Sequence, residues 1–199
     1  MKALLLLLII TSSLFALSIN DSLLKVHATL VPKIYLMDYK FKDKLKNNTI
    51  TIAIMYERND YRDAKKLKGF IEDKYKDGIK SYKVQAKLVN YENITSSEAN
   101  IYYLLPSKIH LVKAVVKKAA TNGALTFAYL NEDLKHGVMI SLNVSKKIKP
   151  LLNLEAIRIH KIVLRPVLIN ISTIYTRELG SRIPLLEIRG FNFYRVYQA

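Results

Sequence analysis

Thr49–Glu57, TITIAIMYE, decides the fold. Ile50, Ile52, Ala53, Ile54 and Met55 run almost without a polar break, and Thr49 and Thr51 favour extended backbone. A short apolar run rich in β-branched residues suits a strand covered on both faces, which normally lies inside a parallel sheet with helices over it. The next segment agrees: Arg58–Tyr61 is polar, then Ala64, Leu67, Phe70, Ile71 and Tyr75 recur at helical spacing. The stretch therefore predicts the first strand and crossover helix of an open α/β domain. The loop after Glu57 would sit at the strand's carboxyl edge, where such sheets bind their ligands.

Downstream the pattern repeats. Tyr82–Val89, YKVQAKLV, alternates apolar and polar, as expected of a strand near the sheet edge with one wet face. Asn90–Glu98 reads as a polar loop. Ala99–Leu105 is a second apolar strand, stopped by Pro106. Ser107 then caps a helix with Leu111, Val112, Val115, Val116 and Ala119 inward and Lys113, Lys117 and Lys118 outward. Asn122-Gly123 ends that helix, and Ala124–Leu130 is a third buried strand. Thr49–Leu130 thus reads β-α-β-β-α-β. Gly137–Val144 and Ile148–Leu154 predict two strands joined by a basic turn, a hairpin on the sheet's edge. Glu155–Lys161 predicts a short helix, and Pro166 opens a helix running to about Tyr175.

Upstream, Asp21–Asp38 predicts a helix with Asp21 at its cap and Pro32 kinking or dividing it. A Lys-rich linker, 41–48, ends in the turn-prone pair Asn47-Asn48. Before the helix, Lys2 precedes eight apolar residues, Ala3–Ile10, and small residues follow at Ala16 and Ser18. This is the pattern of a secretory signal cut after Ser18, too short to span a bilayer; an uncleaved anchor is the other reading. Three parts follow: a signal peptide at 1–18, an α/β domain at 19–176, and an extension at 177–199 in which Arg177, Arg182, Arg189 and Arg195 alternate with Phe191, Phe193, Tyr194 and Tyr197. The fold class expected is α/β: a single open, mostly parallel sheet flanked by helices, with a C-terminal hairpin and final helix.

The 199 residues carry 32 Lys and Arg against 16 Asp and Glu, a formal charge of +16. Such a balance suits nucleic acid or an anionic membrane, but the lysines fall mostly on the polar sides of predicted helices. Export argues against nucleic acid as a partner. With no cysteine, disulfides, thiolate metal sites and cysteine nucleophiles are excluded. His27, His110, His136 and His160 share no metal-ligand spacing. No GxSxG, GxGxxG or Walker arrangement is present. The expectation is a non-enzyme with no cofactor and no metal. The candidates left are geometric: Glu57, Arg58 and Asn59 after the first strand, Ser107 after the second, and Tyr129 and Asn131 after the third. All should gather at one edge, beside the free N–H groups of a helix start. Glu132-Asp133 follows in the same loop.

Gly137-Val138-Met139-Ile140, then Ile148, Leu152-Asn153-Leu154-Glu155-Ala156, Arg158, Ile162 through Leu168, and Ile174-Tyr175 together resemble the YfiR-like family of small periplasmic proteins. The resemblance runs from about Leu23 to Tyr175, by pattern rather than by a sharp signature. It implies structural roles for Gly137, Asn153, Ala156 and Arg158. It also implies an exported, non-enzymatic regulator that binds the periplasmic part of an inner-membrane sensor or diguanylate cyclase, restraining cyclic di-GMP signalling. A second copy of the chain is a further candidate partner. Family members commonly carry cysteines and this chain has none, so a thiol switch does not transfer. The alternative function is a small periplasmic solute-binding protein using the strand-edge loops.

Overall fold

A computed structural model of the protein describes residues 19–176. The signal peptide and the Arg/aromatic extension of the sequence reading lie outside the described residues. Seven strands form one sheet in the order β2-β1-β3-β4-β5-β6-β7. They are β1 (Thr49–Tyr56), β2 (Lys83–Asn90), β3 (Ile101–Leu104), β4 (Leu125–Ala128), β5 (Ile140–Val144), β6 (Ile148–Leu152) and β7 (Thr173–Ile174). Every pairing is parallel except the β5–β6 hairpin. Among the described residues five α-helices accompany them: α1 (Asp21–Tyr35), α2 (Tyr61–Lys74), α3 (Ile109–Asn122), α4 (Leu154–Ile159) and α5 (Pro166–Ile171). The fold is the expected open, mostly parallel α/β sheet flanked by helices.

From β1 the chain moves outward through α2 to β2; from β3 it moves the opposite way through α3 to β4. Opposite directions put the two crossovers on opposite faces when both have the same hand. The side chains of β1 divide accordingly. Ile50, Ile52 and Ile54 enter a core with Leu24, Ala28 and Val31 of α1 and Leu67 and Ile71 of α2. Ala53 and Met55 enter a second core with Val112, Val115 and Ala119 of α3 and Tyr91 and Ile94 from the 3-10 turn Tyr91–Ser96.

Several boundaries differ from the sequence reading, each for a local reason. Asn20, not Asp21, caps α1, its side chain accepting from the Leu23 N–H at 3.1 Å. Pro32 does not divide α1; it sits in the last turn, and the helix continues to Tyr35. Asn47 and Asn48 both take left-handed φ of 52°, which asparagine tolerates better than most residues. Gly137 does not open a strand. It closes the 3-10 turn Asn131–His136 at φ 97°, and β5 starts three residues later. α5 stops at Ile171, where the Ser172 hydroxyl donates back to the Leu168 carbonyl at 2.6 Å, and Thr173–Ile174 pair with β6 instead. The hairpin therefore has one more strand, β7, outside it.

His27 of α1 lies wholly buried among Tyr103, Phe127 and Tyr129, its ring centroid 5.5–5.6 Å from each of theirs. Its Nδ1 is 2.7 Å from the Tyr103 hydroxyl, while Nε2 has no protein partner. Burial lowers its pKa to about 3. The unfolded chain, with a pKa near 6.5, therefore binds the extra proton between about pH 3 and 6.5, and stability falls as pH falls through that window. His27→Gln retains a partner for Tyr103 but cannot titrate. Urea unfolding at stepped pH should show acid sensitivity in the variant reduced by up to about 1.4 kcal/mol per pH unit across this window. Equal slopes for the two proteins would contradict it.

Candidate functional site

The carboxyl edge of β1, β3 and β4 brings together some of the expected residues and not others. Glu57 follows β1, and its Oε1 accepts from the Ser107 hydroxyl at 2.6 Å and from the Lys108 N–H at 3.3 Å. Lys108, not Ser107, is the cap residue of α3, and no side chain of its own closes that end. A carboxylate from the neighbouring strand supplies the negative group that the helix start favours. The Ser107 hydrogen bond, followed by that of the Lys108 N–H, holds the Glu57 carboxyl below the usual carboxylate range.

Arg58 and Asn59 lie exposed in the 3-10 turn Arg58–Asp60. Tyr129 and Asn131 are committed to the fold. The Tyr129 hydroxyl accepts from the Asn20 N–H at 2.9 Å and so ties the start of α1 to the end of β4. Asn131 Oδ1 lies 2.7 Å from the Ser141 hydroxyl, which also lies 2.9 Å from the Ala128 carbonyl.

Two further residues belong to this edge. Tyr91 is buried, its hydroxyl donating to the Leu105 carbonyl at 2.6 Å. Burial, reinforced by the charges of Asp133, Glu57 and Asp60, pushes its pKa up. Asp133 is 6% exposed, and its Oδ2 has no hydrogen-bond partner. Burial and the neighbouring Glu132 charge raise its pKa to about 6. The sequence reading placed Tyr91 in a polar loop, although Tyr91 and Ile94 stand three apart, the spacing of one helical face. Nothing local marks Asp133 as buried; packing of the Asn131–His136 turn against α3 makes it so.

The residues taken from the family pattern are structural where their contacts are seen. Asn153 caps α4: its Oδ1 accepts from the Ala156 N–H at 3.0 Å, and its Nδ2 donates to the Leu134 carbonyl at 2.8 Å. Ala156 is buried and Arg158 is exposed. A Cβ on Gly137 would come within 3.2 Å of Val116 Cγ1 at a φ that only glycine takes freely.

Two open clefts flank the sheet, the first of them reaching Tyr56 and Asn90 at the carboxyl ends of β1 and β2. One, of about 320 Å³, is lined by Lys87, Asn90, Asn93, Ser96, Ser97 and Glu98. The other, of about 250 Å³, is lined by Lys46, Thr51, Glu98, Asn100 and Asn122. Among the described residues, no three His, Asp or Glu side chains are grouped to hold a metal ion, and no helix is long and apolar enough to cross a membrane.

No protein-family model matches the chain, and no curated protein matches it. Solved structures do. One is a conserved domain protein from Vibrio cholerae O1 biovar El Tor str. N16961, with a TM-score of 0.55 and 12% identity, over 77% of this chain and 60% of that one. Another is an ABC domain in complex with L-Trp from Streptococcus pneumonia, with a TM-score of 0.53 and 11% identity, over 76% and 62%. The alignments thus span about three fifths of those structures' length. At such identity the likeness establishes a shared fold.

Two substitutions test these roles. Asn153→Ala removes a helix cap and a buried hydrogen bond together and should cost about 2 kcal/mol in urea unfolding; a cost below about 0.5 kcal/mol would contradict the assignment. For Asp133, the folded pKa of about 6 exceeds the ordinary 3.8, so ionisation weakens the folded state as pH rises through that interval. Asp133→Asn should therefore stabilise the protein at pH 8, by roughly 2 kcal/mol, and change little at pH 4. The opposite pH dependence would overturn the assignment.

Proposed function

We propose that this chain is an exported, non-enzymatic regulator that binds and restrains an inner-membrane signalling protein of the sensor or diguanylate cyclase type. The observation that carries this reading is the set of exposed apolar side chains on the two short helices that precede β7. Ile159 of α4 is 62% exposed, and Val167 and Ile171 of α5 are each 56% exposed. Val167 and Ile171 stand four apart, on one face of α5. Arg158, Lys161 and Arg165 lie exposed around them. Apolar side chains rimmed by charge form the pattern of a protein contact surface. The resemblance of Gly137–Tyr175 to the YfiR-like pattern supports the choice of partner class and of the periplasm.

Photo-crosslinker placed at Val167 in intact cells should capture an inner-membrane protein carrying a cyclase or sensor domain. Capture should fail from Lys76, across the fold, and the variant Val167→Asp/Ile171→Asp should raise cellular cyclic di-GMP where the partner is a cyclase. Absence of any membrane protein from the Val167 crosslinks would overturn the proposal.

A second reading, a small periplasmic solute-binding protein, is favoured by the cleft beside Asn90–Glu98 and by the L-Trp bound in one structural neighbour. Thermal shift against a metabolite panel separates the two. A bound solute at about 100 times its Kd adds about 2.7 kcal/mol of stability, whereas a purely protein-binding regulator gives a flat panel.

A further inference from the structure

The β5–β6 hairpin leaves the body at the carboxyl edge of the sheet. Ile140 of β5 is level with Phe127 of β4, and β4 ends one residue later at Ala128. β5 continues to Val144, three residues past that level, or about 10 Å at the rise of a strand. At the tip Val144 faces Ile148 across the strands, and the turn closes with the Ser145 hydroxyl donating to the Lys147 carbonyl at 3.3 Å. Opposed residues of an antiparallel pair share a face. Leu142 and Pro150, the next pair inward on that face, are buried, whereas Val144 is 54% and Ile148 42% exposed. Lys146, Lys147 and Lys149 are exposed around them. From Leu134 to Leu154 the chain has no acidic residue.

Val144 and Ile148 thus form an exposed apolar pair on one face of the hairpin, with the cationic turn Lys146-Lys147 just beyond them and Lys149 beside them. Lysine carries its charge on a flexible apolar stem, which lets the head reach phosphates while the stem lies on apolar surface. Arg and aromatic anchors, which concentrate affinity in protein contacts, are missing from 144–150. A partner adding a strand to the free edge of β6 would meet Pro150, which has no N–H to offer, between Ile148-Lys149 and the two residues already held by β7.

We infer that this hairpin seats the protein on the surface of an anionic phospholipid bilayer. Val144 and Ile148 enter the interfacial layer, and Lys146, Lys147 and Lys149 lie among the headgroup phosphates. The seat holds the body at the surface without spanning the bilayer, and the net charge of +16 draws the chain toward that surface. This inference stands independently of the signalling partner, which engages the α4–α5 face.

The absence of cysteine makes the test direct. A Ser145→Cys variant of the full chain carries an environment-sensitive dye at the tip; Lys76→Cys carries it after α2, at the amino edge of the sheet. With phosphatidylglycerol–phosphatidylcholine vesicles the tip dye should shift to the blue. With phosphatidylcholine alone it should not, and the Lys76→Cys dye should stay silent in both. Any affinity of residues 1–18 for lipid is common to both labels and to the lysine variants, so the tip is read from the difference between them. Adding Lys146→Gln/Lys147→Gln/Lys149→Gln should weaken partitioning by about tenfold or more. Val144→Ser/Ile148→Ser should weaken it as well, with an unchanged circular dichroism spectrum. No shift at the tip, an equal shift with neutral vesicles or at the control label, or indifference to the lysine changes would overturn the inference. A tip that answers polyglutamate but not vesicles would assign it to an acidic protein and overturn it equally.

Discussion

β1 must be hidden from water on both sides. Five of its eight residues are buried, three toward one face of the sheet and two toward the other, so no single covering layer suffices. Leaving either set exposed would forfeit roughly 1.5–3 kcal/mol for each large aliphatic side chain. The arrangement around the strand answers that demand. α1 and α2 close the isoleucine face, α3 and the Tyr91–Ser96 turn close the Ala53–Met55 face, and β2 and β3 pair with its two edges.

Double burial also dictates how polar groups are handled. Tyr103 and Tyr91 lie in the two cores and cannot reach bulk water with their hydroxyls. Tyr103 pairs with His27 and Tyr91 donates to the Leu105 carbonyl, each across a boundary between elements. Ser141 and Asn153 do the same at the hairpin's root. Each joins one element to another, so these polar side chains are spent on internal contacts. Glu57 and Ser107 are each other's partners, Tyr129 holds the Asn20 N–H, and Asn131 holds Ser141.

Much of the fold was legible because its signals are periodic. β1, β3 and β4 are apolar runs, α2 and α3 carry clear stripes, and the alternation of Tyr82–Val89 correctly marked an edge strand. Gly123 ends α3 in the left-handed conformation, as its sequence implied. What was not legible depends on tertiary partners. β7 has two residues, which carry no period, and Thr173–Ile174 read equally well as the last turn of a helix. Ser107 looked like a cap, but Lys108 takes that position, and Ser107 donates instead to Glu57, fifty residues away in sequence. The convergence of the edge residues followed from topology, whereas the burial of Asp133 came from α3 packing over a turn that looked solvated.

A body fastened this tightly at its centre leaves its periphery for function: the bare face of α4 and α5, and the projecting hairpin. Native-state amide hydrogen exchange resolved along the chain tests this division most directly. Amides of β1, β3 and β4 should exchange only through global unfolding, while those of α4, α5, β7 and the Val144–Ile148 tip open locally at much lower free energy. Exchange of β1 as fast as that of β7 would contradict the account.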